Sequence, residues 1–106
     1  MTDTSTTALR IVLHAADAES LARARASALN ARKAQPDANV RIVANAAAVA
    51  AALDTPHEGA DPLTGLCPNT LAATARSPRA PLTVLGQPAV IELALLQRAG
   101  WAYIRA

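Results

Sequence analysis

The sequence predicts an α/β fold, a three-layer α/β/α sandwich around a mainly parallel sheet of about five strands. Short β-branched apolar runs alternate with longer alanine-rich or amphipathic runs, and this alternation is typical of parallel strands joined by helical crossovers. The chain has 106 residues, of which 52% are hydrophobic, so it is long enough to bury a core. We expect a single domain over residues 8–106 after a disordered polar N-terminus at residues 1–7.

The first half of the chain predicts two strand and helix pairs. The run LRIVLHA (9–15) is short, apolar and β-branched, and the segment that follows it (17–35) begins with acidic residues and ends with basic ones, as suits a helix dipole. The pattern repeats in NVRIVANA (39–46), a strand, and AAAVAAALD (46–54), a segment of high helix propensity. Pro36 ends the first of these helices.

The second half predicts three more strands and two more helices. The weakest strand is PLTGLC (62–67), because glycine and proline disfavour a regular strand. The remaining predicted elements are PNTLAATARS (68–77, helix), PLTVLG (81–86, strand), QPAVIELALLQRAG (87–100, helix) and WAYIRA (101–106, strand). We place Pro88 in the first turn of the last helix and Gly100 at its end, the positions that these residues favour.

Charge and cysteine content exclude several classes of partner. Ten basic and eight acidic residues give a formal charge of +2, which is too balanced to predict binding to nucleic acid or to an anionic membrane. The cluster of Arg23, Arg25, Arg32 and Lys33 is interpreted as a solvated helix face. The apolar runs are shorter than the roughly 20 residues of a membrane-spanning helix. With one cysteine and no visible export signal, the expected location is the reducing cytoplasm.

The apolar residues are mostly small, which predicts self-association. Alanine makes up about a quarter of the chain, and there is no phenylalanine, so the core is thin. The last predicted helix is apolar around most of its circumference, and we expect a second copy of the chain to cover the side that the sheet does not. Trp101 and Tyr103 follow a period of two, which predicts packing on one face of the last strand.

Cys67 is the candidate reactive residue. If Pro68 begins a helix, Cys67 is its N-cap, and the sulfur faces unpaired backbone N–H groups that lower a thiol pKa. This environment favours nucleophilic or sulfur-carrying chemistry. Asn69 and Thr70 in the first turn could bind an anion or a persulfide, or be ordinary helix-start residues. The competing interpretation is that Cys67 is an inert, buried packing residue, as most free cysteines are.

Other chemistries find little support in the residue pattern. His14 and His57 have no metal-ligand spacing with Cys67 or the nearby carboxylates, so we predict no metal site. No glycine-rich fingerprint follows the first strand, so we predict no nucleotide or other cofactor. His14 and Asn45 end the first two strands, and ligands collect at such ends in parallel sheets. Both residues are therefore candidate pocket residues.

Four segments together resemble the DsrE/DsrF-like family of small α/β domains associated with sulfur relay. They are IVLHAADAESLARARASALNA, VRIVANAAAV, CPNTL and VIELALLQRAGWAYIRA. The resemblance extends from Leu9 to Arg105, and CPNTL is most similar to small, uncharacterised members of the family. The most specific features are the cysteine followed by an asparagine and a hydroxyl residue, and the ending in which Gln97, Gly100 and Tyr103 form a Q-x-x-G-x-x-Y pattern.

The resemblance implies that Cys67 carries sulfur as a persulfide and that subunits assemble into oligomers. It implies a carrier, with a sulfur donor or acceptor protein as partner, more than an enzyme with turnover of its own. The chain departs from the family after the second strand, where Asn45 is followed by Ala46 and not by a glycine turn. Two alternatives stay open: a noncatalytic oligomeric small-molecule-binding or scaffold module in which Cys67 is packing, and a thiol redox sensor.

Overall fold

The computed structural model describes residues 8–106 and confirms the α/β class. The prediction of disorder for residues 1–7 lies outside the described residues. The strands are β1 (Arg10–Ala15), β2 (Asn39–Ala44), β3 (Thr64–Leu66), β4 (Thr83–Val84) and β5 (Ala102–Arg105). The helices are α1 (Ala18–Ala34), α2 (Ala47–Asp54), α3 (Pro68–Thr74) and α4 (Ala89–Arg98), with a short 3-10 helix at Asp61–Leu63.

The described strands form one parallel sheet in the order β4-β3-β2-β1-β5. β1 and β2 pair over six residues, from Arg10 with Asn39 to Ala15 with Ala44. Their β-branched residues suit this central, doubly covered position. Because every strand runs in the same direction, the loops that follow them meet at one edge of the sheet.

The sheet has an apolar cluster on each face. Helices cover both clusters, so the fold has three layers, with the sheet in the middle. One face packs against α1, α2 and Leu71 of α3. The other face packs against α4, whose Ala89, Leu93 and Leu96 are buried over Val12 and Val43. α4 is thus the one helix of the described residues with buried side chains in the second cluster, and it leaves Val90 and Ile91 exposed.

The third and fourth strands are shorter than the sequence predicts. Pro62 and Leu63 of the predicted strand belong to the 3-10 helix, and regular pairing is confined to Thr64–Leu66 and Thr83–Val84. The third helix ends at Thr74, where Ala75 takes a left-handed conformation with φ 56°. Pro88 is the N-cap of α4 and not a first-turn residue. Prolines on both sides of these segments remove the N–H donors that longer strands need.

The prediction of a fully solvated basic face on the first helix is wrong for Arg25. Arg25 is 5% exposed and pairs with buried Asp61, Nη2 to Oδ1 at 3.2 Å. Burial lowers the pKa of the Arg25 guanidinium, while the charge of Asp61 opposes that effect. The carboxylate partner comes from a loop 36 residues away, so helical periodicity gave no sign of it.

Ala46 follows Asn45 at the place where the resemblance predicts a glycine turn, and it adopts a backbone conformation typical of glycine. Its φ of 49° and ψ of −138° lie where glycine is normally found. A non-glycine residue held there is strained and is retained only where the surroundings impose it. The Ala46 N–H donates to the Thr70 hydroxyl at 3.2 Å, so this strained residue joins the end of β2 to the start of α3. Across residues 8–106, no helix has the length and apolar character needed to span a membrane.

Candidate functional site

Three predicted site residues stand at the carboxyl ends of neighbouring strands. In the register of β2 and β3, Ala44 pairs with Leu66, so the residues that follow, Asn45 and Cys67, come at the same level. His14 lies near the end of the adjacent strand β1. Side chains alternate along a strand, and all three project from the face that α4 covers. The sheet therefore places them along one edge beneath α4.

Cys67 is the N-cap of α3, as predicted, and its sulfur also meets the start of α4. Its φ of −62° and ψ of 122° are extended, and Pro68 is the first helical residue. The Ala89 N–H of α4 donates to Cys67 Sγ at 3.5 Å. The thiol is 6% exposed. The sulfur thus lies against the positive ends of two helices under a nearly closed surface.

The surroundings lower the pKa of the Cys67 thiol. Burial raises it, but the N–H groups of Thr70, Ala89 and Asn69 and the Thr70 hydroxyl together outweigh burial. The side chain makes no cap hydrogen bond within α3, so the Ala89 contact is the one with full hydrogen-bond geometry, and the α3 groups act by proximity. Because the Thr70 hydroxyl accepts from Ala46, its own proton is free to face the sulfur.

The pH midpoint for alkylation of Cys67 is expected to be lower in the native protein than in the unfolded protein. Native protein should reach half of its maximal iodoacetamide rate at a lower pH than urea-unfolded protein, because the thiolate is the reactive form and the native pKa is lowered. The lowered pKa also affects the free energy of unfolding. The thiolate raises this free energy at pH values above the pKa of Cys67 in the unfolded chain, and the contribution is lost as the pH falls through the pKa of Cys67 in the native protein.

The measurement is the initial alkylation rate by mass spectrometry across a pH series. Cys67 is the only cysteine, so Cys67→Ser protein supplies the blank. Equal pH midpoints for the native and unfolded chains would contradict the expectation, and burial should appear separately as a lower maximal rate in the native protein.

His14 and Asn45 belong to a second group, which includes Tyr103. His14 Nδ1 is 2.7 Å from the Tyr103 hydroxyl, and His14 Nε2 is 2.9 Å from Asn45 Oδ1. The amide oxygen can only accept, so Nε2 carries a proton and the phenol donates to Nδ1 in the neutral ring. With a neutral ring, the hydrogen-bonded chain runs from Tyr103 through His14 to Asn45, and it links Tyr103, the second residue of β5, to the ends of β1 and β2.

A cavity of about 420 Å³ opens beside this chain of side chains, between the strand ends and α4. Its polar and apolar lining includes His14, Asn45, Gln97, Tyr103, Val90 and Leu93. Cys67 is not among the residues that line it. The predicted site residues therefore fall into two neighbouring places, the sulfur under the two helix starts and the cavity.

The other residues considered in the sequence analysis lie outside these two places or contribute only through the backbone. Asn69 is exposed, and its backbone N–H is the part that favours the thiolate. His57 Nδ1 accepts from the Ala60 N–H at 3.1 Å within its own loop, a structural contact. Trp101 packs on the α4 side of the sheet. In residues 8–106 no three metal-ligating side chains of His, Cys, Asp or Glu lie together.

Tyr103 and Gln97 are the residues that reasoning from periodicity missed. Period two predicts packing for Tyr103, but 38% of the residue is exposed and its hydroxyl bonds to His14. The signal for both was the Q-x-x-G-x-x-Y pattern, which joins Gln97 and Tyr103 across the turn between α4 and β5. Gly100 makes that turn with a φ of 98°.

No protein-family model matches this chain, and no curated protein matches its sequence. Evidence on function therefore comes from the residues of the site.

Proposed function

We propose that this protein carries sulfane sulfur as a persulfide on Cys67. The observation that supports it is the position of the sulfur, which accepts the Ala89 N–H at 3.5 Å and lies at the start of α3 as well. Donors of this kind favour an anion on sulfur. A persulfide is a more extended anion of the same kind, so the same groups stabilise the loaded form.

The transfer needs no further oxidant or reductant. The Cys67 thiolate attacks the outer sulfur of a donor persulfide R–S–SH, a new S–S bond forms, and the donor's own S–S bond breaks. The electron pair of that bond leaves on the donor sulfur as R–S⁻, which takes the proton from the transferred sulfur and leaves the persulfide on Cys67 as the anion. The reverse reaction with an acceptor thiolate unloads the protein. A carrier of this kind requires no general base.

The burial of Cys67 fits storage of the sulfur. Cys67 is 6% exposed, so bulk thiols that would reduce a persulfide on this residue reach the sulfur slowly. Access runs past the N-terminal turn of α3, where Pro68 is half-buried and Asn69 is exposed. A donor or acceptor protein in the cytoplasm would dock against this turn.

Intact-protein mass spectrometry without reductant tests the proposal. Wild type and Cys67→Ser are each exposed to glutathione persulfide, and wild type alone should gain one or more sulfur atoms that dithiothreitol removes. Cys67→Ala, which leaves no hydroxyl in the apolar cluster, checks that a loss of loading is not a loss of fold. Failure of folded wild type to gain sulfur, or equal gain by the Ser variant, would refute the carrier.

The second candidate function is a noncatalytic oligomeric binding or scaffold module with Cys67 as packing. It is favoured by the low exposure of the thiol and by the cavity that does not include it. A native thiol that resists both persulfide and iodoacetamide, in a protein that is still folded, would select this candidate.

Self-association is part of both candidates. Val90 and Ile91 on α4 are 70% and 45% exposed, and Ile104 on the edge strand β5 is 45% exposed. Burying such residues against a second copy would recover about 25 cal/mol per Å² of apolar area. Native mass spectrometry of the same samples measures the subunit number.

A further inference from the structure

We infer that the cavity beside His14, Asn45 and Tyr103 binds an uncharged planar heterocycle that carries amide-like donor and acceptor groups on one edge. The inference does not rest on the sulfur-carrier proposal, because Cys67 does not line this cavity. It supplies a ligand class for the binding-module candidate. Four observations support it: the direction of the hydrogen-bonded chain, the unused polar groups, the uncharged lining and the apolar wall.

The polar wall is organised before any ligand arrives. The Tyr103 hydroxyl oxygen lies 2.7 Å from His14 Nδ1, and His14 Nε2 donates to Asn45 Oδ1 at 2.9 Å. These contacts fix both the imidazole and the amide, so the cost of ordering them has already been met in the folded protein. The Asn45 amide nitrogen and the lone pairs of the Tyr103 oxygen remain available to a ligand.

The available groups form a mixed set of donors and acceptors. His14 bonds to the Asn45 amide oxygen and not to the amide nitrogen, and the exposed Gln97 side chain is a second amide in the lining. An amide side chain offers two N–H donors and one carbonyl acceptor. A ligand that pairs with these amides needs donor and acceptor atoms next to each other on one edge, as in a lactam or a carboxamide on a ring.

The lining argues against a charged ligand. None of the residues that line this cavity is Asp, Glu, Lys or Arg. A charged group in it would lose water without gaining a counter-charge, which is costly. The neighbouring cavity of about 400 Å³, which shares His14 and Tyr103 with the first, does have charged lining that includes Asp17, Arg23 and Arg105. An ion would therefore be drawn to that neighbouring cavity.

The opposite wall suits the face of a ring. Val90 and Leu93 lie three residues apart on α4, so they share one side of the helix. They present apolar atoms across from the polar chain, and the volume of about 420 Å³ is in the lower part of the range for small-molecule sites. A flat molecule can therefore pack its face on α4 while its edge meets Asn45 and Gln97.

Saturation-transfer NMR tests the inference with uracil, adenine and nicotinamide as separate probes. At least one probe is expected to bind wild type saturably at millimolar concentration. Nicotinate, which has the shape of nicotinamide but carries a carboxylate, should bind at least about tenfold more weakly, a factor that corresponds to about 1.4 kcal/mol. Tighter binding of nicotinate would overturn the ligand class.

Matched variants locate the site. Asn45→Ala should weaken probe binding about tenfold, the loss expected for a hydrogen bond of about 1.4 kcal/mol. Asn39→Ala, the same change at the opposite end of β2, should leave binding unchanged. Tyr103→Phe should weaken binding and alter the ¹⁵N shifts of the His14 ring. Cys67→Ser should bind like wild type, which separates this site from the sulfur-carrier proposal.

Val90→Glu keeps the test decisive if Asn45→Ala fails to fold. Val90 is 70% exposed in the single subunit, so the subunit fold tolerates the change, and native mass spectrometry checks that the subunit number is unchanged. The glutamate puts a charge on the apolar wall and should abolish binding of the neutral probes. The inference is overturned if no probe binds wild type, if Asn39→Ala weakens binding as much as Asn45→Ala, or if a folded Val90→Glu protein binds normally.

Discussion

Replacing Asp61 with alanine is expected to lower the free energy of unfolding by about 3–5 kcal/mol. The carboxylate is 2% exposed and accepts from Arg25 Nη2 at 3.2 Å, from Arg79 Nη1 at 2.8 Å and from the His57 N–H at 3.0 Å. Its loss leaves two guanidinium groups facing each other, one of them buried, with no counter-charge. Burial of an unpaired charge is among the most destabilising single changes.

Asp54→Ala is the matched control for Asp61→Ala. Asp54 pairs with Arg76 at 2.7 Å, but its side chain is 62% exposed, so we expect a loss of at most about 1 kcal/mol. Urea denaturation of both variants gives the comparison. Similar losses in the two proteins would show that the Arg25–Asp61–Arg79 group does not stabilise the fold in the way its burial indicates.

Replacing Gly65 with valine is expected to cost about 1–3 kcal/mol or more through overpacking. A Cβ atom at Gly65 would come within 2.4 Å of Leu85 Cδ2 and 3.1 Å of Leu85 Cγ. Leu85 is 7% exposed and belongs to the same cluster as Cys67, so it cannot move without disturbing its neighbours. The short strand β3 therefore requires a residue without a side chain at position 65.

Gly86→Val serves as the control, since a Cβ atom there meets nothing within 4 Å. Thermal unfolding should separate the two variants clearly, with a large drop in Tm for Gly65→Val and a small change for Gly86→Val. An unchanged Tm in Gly65→Val would contradict the close packing of β3 against Leu85.

The order of strands and helices could be predicted because it is a local property. Apolar runs such as LRIVLHA and the periodicity of the first helix are read from neighbouring residues, and the predicted elements over 9–54 match the structure closely. The prediction was less accurate between residues 61 and 88. There, prolines and glycines shorten the strands, and sheet pairing rather than propensity decides which residues are extended.

The surroundings of Cys67 were only partly predictable. Its position as the N-cap of α3 followed from Pro68, a local signal. The Ala89 N–H comes from a helix 22 residues further along the chain, and the Ala46 to Thr70 contact joins the start of α2 to the start of α3 across 24 residues. No pattern within a short window reports such contacts.

The sequence by itself determined the α/β class, the sequence of elements and the cysteine at a helix start, because these depend on residues close together in the chain. The tertiary structure alone decided that His14 meets Tyr103, 89 residues away, that Arg25 is buried on Asp61, and that the cavity under α4 excludes Cys67. Those features depend on the strand order β4-β3-β2-β1-β5. That order brings the last strand beside the first, and it is selected by the packing of the whole sheet and not by any one segment.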